Sequence, residues 1–264
     1  MNTLQKVVMM GIGVPTLLGV AAFSAAQAPA PPAVASPGAA APGNAWPPAG
    51  GPNYNPPKKD GPRTTAPYFT PATSRPKAPD TDGFLQRWLL LEPISKPNRT
   101  NTVFTGTYVR STFGTEYFPD QFTVVPHNGD KVTVGGQELA WHALDSANFD
   151  VKLFRFAYGL NKPTYGVIFW AVTVVNSPHE MRNVRLAVGS NSASMWWLNG
   201  NEAVALFDDR RMVMDDAVSK RITLNKGRNV LRGAVINGPG LSDFCVRFVD
   251  ENGDAIKGIT SSIE

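Results

Sequence analysis

The sequence predicts an all-β fold, a jelly-roll β-sandwich, and three observations point there. Short apolar runs alternate with Gly, Asn and Asp clusters from Val184 to Asp250, the pattern of antiparallel strands joined by tight turns. Asn199-Gly200 stands between SMWWL and EAVAL, and both residues accept the positive φ that a two-residue hairpin needs. No long stretch carries the apolar period of a helix, so strand alternation is the dominant signal.

The chain of 264 residues does not read as globular throughout. Met1 to Ala26 has the form of a cleaved export signal: Lys6 supplies a positive n-region, Val7 to Ala22 is uncharged and mostly apolar, and Ser24-Ala25-Ala26 offers small residues for cleavage. Pro15 interrupts the apolar run, which is short for a membrane span. The expectation is therefore an exported protein, at the periplasm, cell surface or outside, with no transmembrane span after cleavage.

Residues 27–80 are rich in Pro, Ala, Gly and Asn. Such a segment buries too little apolar surface to offset its ordering entropy, and it reads as a disordered tether with polyproline-II character. Trp46, Tyr54, Tyr68 and Phe69 stand out within it. They read as scattered aromatics, with a strand-like contact onto the folded domain or onto a wall polymer as the sharper alternative.

The sandwich is expected over 81–264. FLQRWLLLEPI reads as one strand, or a short helix and a strand, ending at Pro93. NRTNTVFTGTYVRSTFG is rich in Thr, Val, Phe and Tyr and reads as β. QFTVVP reads as a strand, KVTVGGQELAWHAL as a hairpin around Gly135-Gly136, and FDVKLFRFAYGL as a half-buried strand. YGVIFWAVTVVNSP is nearly all apolar, which suits a central strand covered on both faces or one at a tight subunit contact. Lys226-Gly227 and Glu251-Asn252-Gly253-Asp254 add turn signals. The single cysteine, Cys245 in DFCVRF, has no internal partner and reads as a small buried hydrophobe.

Several residues carry a resemblance. Gly189, Ser190, Trp197, Leu198, Asn199 and Gly200, then Leu224, Gly227, Asn229 and Leu231, then Phe244, Val246, Arg247, Phe248 and Asp250 together resemble the galactose-binding-like jelly-roll domain of secreted carbohydrate-active proteins. The acetylxylan-esterase-associated type is the form it resembles. The resemblance implies a β-sandwich that binds or accompanies polysaccharide, with a structural calcium in many members. Calcium would draw on Asp209, Asp216 and Asp250, although neither of their loops has EF-hand spacing.

The sequence offers little enzyme machinery. There is no G-x-S-x-G elbow; GSNSAS at Gly189 to Ser194 joins strands with no helix after it. His127, His142 and His179 lack paired metal spacing. Asp208, Asp209, Asp215 and Asp216 flank Arg210 and Arg211, so ion-paired loop ordering accounts for them more simply than a glycosidase pair does. The net charge is +4, but the basic residues are scattered rather than striped, which argues against nucleic acid.

Sugar binding asks for an exposed ring to pack on pyranose C–H faces, with polar neighbours for the hydroxyls. Alternation puts Trp196 and Leu198 on one face of SMWWLN, with Met195 and Trp197 on the other. The resemblance places Trp196 in the core. Candidate sugar contacts are Trp197, Asn199, Trp141, Asp208, Arg210 and Asp215. The leading expectation is a non-catalytic carbohydrate-binding or scaffolding module acting beside a polysaccharide-degrading partner enzyme. Two others stay open: a self-assembling homo-oligomer sealed by YGVIFWAVTVV, and an accessory part of an acetylxylan-esterase-like hydrolase.

Overall fold

A computed structural model of the protein describes residues 63–98 and 100–264. The expected export signal and residues 27–62 of the expected tether lie outside the described residues. In chain order the elements are β1 (Phe69–Pro71), β2 (Arg87–Leu91), β3 (Ile94–Ser95), a 3-10 turn (Asn101–Val103), α1 (Gly106–Gly114), β4 (Lys131–Val134), β5 (Gln137–Ser146) and α2 (Leu153–Gly159). They continue with β6 (Val167–Ser177), β7 (Met181–Ser190), β8 (Ala193–Leu198), β9 (Asn201–Leu206), β10 (Ala217–Val218), β11 (Ile222–Leu224), β12 (Gly227–Asn237), β13 (Phe244–Val249) and β14 (Thr260–Ser262).

The expected all-β sandwich is what these strands build. A ten-stranded sheet runs β1-β5-β2-β6-β12-β8-β9, with β3 and β14 added to β6 and β4 to β5; a four-stranded sheet sets β10, β11 and β13 around β7. The pairings are antiparallel. Strand alternation sorts side chains to two cores on opposite faces of the large sheet. Between the sheets lie Trp88, Phe169, Trp196, Leu231, Phe244 and Val246. On the outer face Leu89, Trp141, Trp170, Met195 and Ala234 pack under Phe104, Val109, Phe113 and Phe118 of the α1 segment.

β6 is the central strand covered on both faces. Val167, Phe169, Ala171 and Val175 enter the inner core, while Ile168, Trp170 and Val172 enter the outer one. The chain itself covers this strand, so its apolarity supplies no argument for a subunit contact. The predicted hairpins form: β4 pairs β5 around Gly135-Gly136, and β8 pairs β9 around Asn199-Gly200. Asn199 and Gly200 have φ 50° and 82°, the left-handed pair of a type I′ turn. Trp196 is fully buried, as the resemblance implies, and packs edge-on to Trp88 and Phe244. Gly233 faces it across the β12–β8 pair, where an added Cβ would lie 2.2 Å from the indole. Cys245 is buried; burial pushes its thiol pKa up to about 12.

Four expectations are corrected. The NRTNTVFTGTYVRSTFG stretch is not β: Thr105 Oγ1 accepts from the Tyr108 backbone N–H and caps α1, whose Val109, Thr112 and Phe113 then face the sheet. The threonines that raised β-propensity act as helix caps. QFTVVP is a turn, with the Thr123 and Val124 N–H groups both donating to the Asp120 carbonyl. FDVKLFRFAYGL contains α2 rather than a strand. The folded body also starts before the expected boundary at 81. Phe69 is buried and β1 pairs β5, and Arg87, paired with Asp145 at 2.8 Å, also binds the Arg75 carbonyl. Tyr68 and Phe69 thus make the strand-like contact named as the alternative.

Candidate functional site

α2 carries a group of exposed rings. Leu153, Phe156, Ala157 and Leu160 recur at helical spacing and pack into the inner core, which leaves Phe154, Arg155 and Tyr158 on the outer side. The helix stops in a Schellman turn: Asn161 takes φ 58°, Lys162 N–H donates to the Ala157 carbonyl at 2.9 Å, and Asn161 N–H to Tyr158 at 3.1 Å. Val151 bridges Phe244 at its start, so both ends are tied to the sandwich. Gly159 lets the incoming chain cross the helix end, since a Cβ there would meet the Thr64 backbone at 2.6 Å.

On this support Phe154 stacks parallel to Tyr158, with centroids 6.5 Å apart and planes 8° apart; Tyr165 leans on Phe154 at 5.7 Å. Tyr158 and Tyr165 are 44% and 56% exposed, a large open area for aromatic side chains. Guanidinium groups lie over the rings. Arg63 stands 4.8 Å above Tyr158, and Arg155 lies 5.1 Å from Tyr68 and 5.9 Å from Phe154. Arg63 Nη1 donates to Asn161 Oδ1 at 2.6 Å. A shallow hollow is lined by Arg63, Gly159, Leu160 and Asn161 beside Tyr158. The result is a part-exposed floor of rings with guanidinium groups over it and an amide at its edge.

The residues singled out from sequence lie away from α2, in three places: Trp197 and Asn199 on β8 and its turn, Trp141 in β5, and Asp208, Arg210 and Asp215 in the loop between β9 and β10. Trp197 is half-buried on the outer face of the large sheet, stacked on Trp170 at 5.7 Å with Phe122 edge-on at 6.4 Å. Trp141 is 4% exposed and edge-on to Phe118. It lines a cleft of about 240 Å³, with Asp120, Gln121, Asp130 and Lys131 among its other walls, below the usual size of a ligand pocket (~300–1,000 Å³). Asn199 has both ends of its amide engaged, Oδ1 by Val230 N–H at 2.8 Å and Nδ2 by Asn229 Oδ1 at 2.9 Å.

The acidic loop is internally committed. Asp215 holds Arg247 of β13 at 3.0 Å, Asp216 holds Arg210 at 2.9 Å, and Asp209 accepts from Asn101 Nδ2 at 2.7 Å. Asp208 has φ 68° and donates its N–H to the Phe104 carbonyl at 2.8 Å. Asp250 Oδ1 accepts from Asn252 and Asp254 N–H groups, forming its own turn. Among the described residues no three His, Cys, Asp or Glu side chains gather as a metal site would need. Ser190 and Ser194 of the GSNSAS loop are buried and hydrogen-bond each other at 2.8 Å. His142 meets Glu92 at 3.4 Å, and Glu92 also binds Lys162 at 2.8 Å; burial opposes the Glu92 charge, yet the Lys162 and Ala140 hydrogen bonds bring its pKa below the usual value.

The α2 platform was missed because Phe149, Val151 and Leu153 alternate like a strand. The signal that finds it is the helical set 153, 156, 157, 160, which leaves two aromatics one turn apart outside.

No family model and no curated protein matches the chain. Among solved structures, a PA14 sugar-binding domain from an RTX adhesin is similar at 10% identity and TM-score 0.38, covering 67% of this chain and 99% of that one. The PA14 domain of the antifreeze protein MpAFP is similar at 10% identity and TM-score 0.34, covering 73% of this chain and 95% of that one. Among the described residues, no helix is long and apolar enough to cross a membrane.

Proposed function

We propose that the protein is an exported, non-catalytic carbohydrate-binding module whose glycan lies on the α2 platform. One observation carries this reading: Phe154, Tyr158 and Tyr165 form a part-exposed floor of rings, with the Arg63 and Arg155 guanidiniums over it and the Asn161 amide at its edge. A pyranose presents a C–H face to such a floor and hydroxyls to such an edge. Burying that apolar face against rings held on a packed helix stabilises the complex at roughly 25 cal/mol per Å², with little loop ordering to offset it. The N-terminal signal pattern and the galactose-binding-like sequence resemblance support the export and the ligand class. Next to a polysaccharide-degrading partner, such a module would raise the local concentration of glycan.

The experiment is retention of the mature protein on xylan, pectin and cell-wall polysaccharides, by affinity electrophoresis, with Tyr158→Ala and Trp197→Ala as variants. The reading expects retention that Tyr158→Ala removes and folded Trp197→Ala keeps. Migration unaltered by every polysaccharide would overturn it. Loss on Trp197→Ala alone, in a variant with native stability, would move the site to the β8 face.

A further inference from the structure

We infer that the α2 platform selects acidic glycans, chains bearing uronate carboxylates, over neutral ones; this rests on the glycan-binding reading of the same site. The two stretches that build the platform contain no acid. Between Asp60 and Asp80 the charged residues are Arg63, Arg75 and Lys77, and between Asp150 and Glu180 they are Lys152, Arg155, Lys162 and none of opposite sign. Lys152 and Lys162 are occupied, by Asp150 and Glu92 at 2.6 and 2.8 Å. Arg155 is exposed and, among the described residues, has neither an ion-pair nor a hydrogen-bond partner; it lies only against the Tyr68 and Phe154 rings. Arg63 spends one N–H on Asn161 and has no carboxylate partner among the described residues. Several arginines elsewhere are paired, Arg110, Arg182, Arg221 and Arg247 with Glu202, Glu180, Glu251 and Asp215; Arg211 and Arg228 are exposed and, among the described residues, without a carboxylate partner, but no exposed ring lies beside them as at α2.

The chemistry of a uronate fits that arrangement. Its ring has the C–H face that the tyrosines accommodate, and its carboxylate projects from the ring edge in the plane where a guanidinium can bind it through two N–H groups. Rings beside Arg63 and Arg155 restrain these side chains and lower the entropy lost on binding. A neutral pyranose engages the floor and offers the guanidiniums only hydroxyls, so neither charge is neutralised.

The test compares de-esterified polygalacturonate with its methyl-esterified form, which keeps the backbone and removes the charge. Neutral xylan and dextran sulfate complete the set. Affinity electrophoresis is run at low salt and again at high salt, since screening shortens from ~8 Å at physiological strength to ~3 Å at 1 M. The expected result is about tenfold tighter binding of the acid form than of the ester, a gap that narrows with salt. An Arg63→Gln/Arg155→Gln double variant should erase the gap and bring acid and ester to one common, weaker binding, whereas Tyr158→Ala should lose both. Equal binding of acid and ester, or a gap that survives the double variant, overturns the selectivity and leaves a neutral-glycan platform. Binding of dextran sulfate as tight as polygalacturonate and indifferent to Tyr158→Ala overturns it in favour of plain ion exchange. Retention by none of the four overturns the glycan reading as well. Thermal melting of each variant confirms that it is folded.

Discussion

Two aromatic groups on this domain use the same chemistry to opposite ends. Trp170 and Trp197 stack at 5.7 Å with planes 18° apart, and Phe122 closes over them. Phe154 and Tyr158 stack with planes 8° apart, and Tyr158 stays 44% exposed beside the Arg63 guanidinium. The first group sits on a broad sheet face, whose apolar area has to be covered for the sheet to be stable, and the α1 segment covers it. The second sits on a seven-residue helix whose inner side alone satisfies the core. Its outer rings are surplus to folding, and exposed apolar surface of that kind marks interaction sites.

Substitutions sharpen this contrast. The largest effect belongs to Trp196, buried between the sheets against Trp88 and Phe244: Trp196→Ala should cost about 3–5 kcal/mol, read as a fall in the urea midpoint. Trp197→Ala, on the half-covered face, should cost about 2 kcal/mol and leave glycan retention in place. Next comes Arg232, 4% exposed, whose only side-chain hydrogen bond among the described residues is Nη2 to the Val124 carbonyl at 2.7 Å. Burial, with Arg228 adding like charge, pushes its pKa down. Since the group gains little from being charged there, Arg232→Met should leave stability within about 1 kcal/mol or raise it; a loss several times larger in a denaturant melt would show that the guanidinium holds the segment over the outer core.

Smaller still, Tyr158→Ala should shift stability by less than about 0.5 kcal/mol while retention is lost. A stability loss like that of Trp197→Ala would erase the distinction between the two groups. At the bottom of the scale is Cys245, buried and with its thiol held up to about 12. A disulfide reagent at neutral pH should label it only in denaturant, and rapid labelling of the native protein would mean that the inner core opens readily.

Much of the strand framework was legible because its signals are local. The Asn199-Gly200 and Gly135-Gly136 turns, the apolar run of β6, the opposed parity of Trp196 and Trp197, and the burial of Cys245 each follow from residues within a few positions of one another. The helices were not legible. Thr105 is a β-former until its hydroxyl caps α1, and the run from Phe149 to Leu160 fits a strand over its first half and a helix over its second. The acidic loop was half legible. Arg210 and Asp216 are near in sequence, but the Asp215 partner, Arg247, arrives from β13.

The sequence by itself determined the class of fold, the faces of its principal strands and the turns between them, since period-two alternation and left-handed turn residues act over a handful of positions. Only the tertiary structure decided which rings stay in solvent. Trp197 loses most of its exposure to Phe122 and Trp170, Trp141 to Phe118, and Tyr158 keeps its own because the core is already satisfied on the other side of α2. Helical spacing turns Phe154 and Tyr158 away from the core, as alternation turns Trp197, but what the rest of the chain lays over each ring decides how much of it stays in solvent.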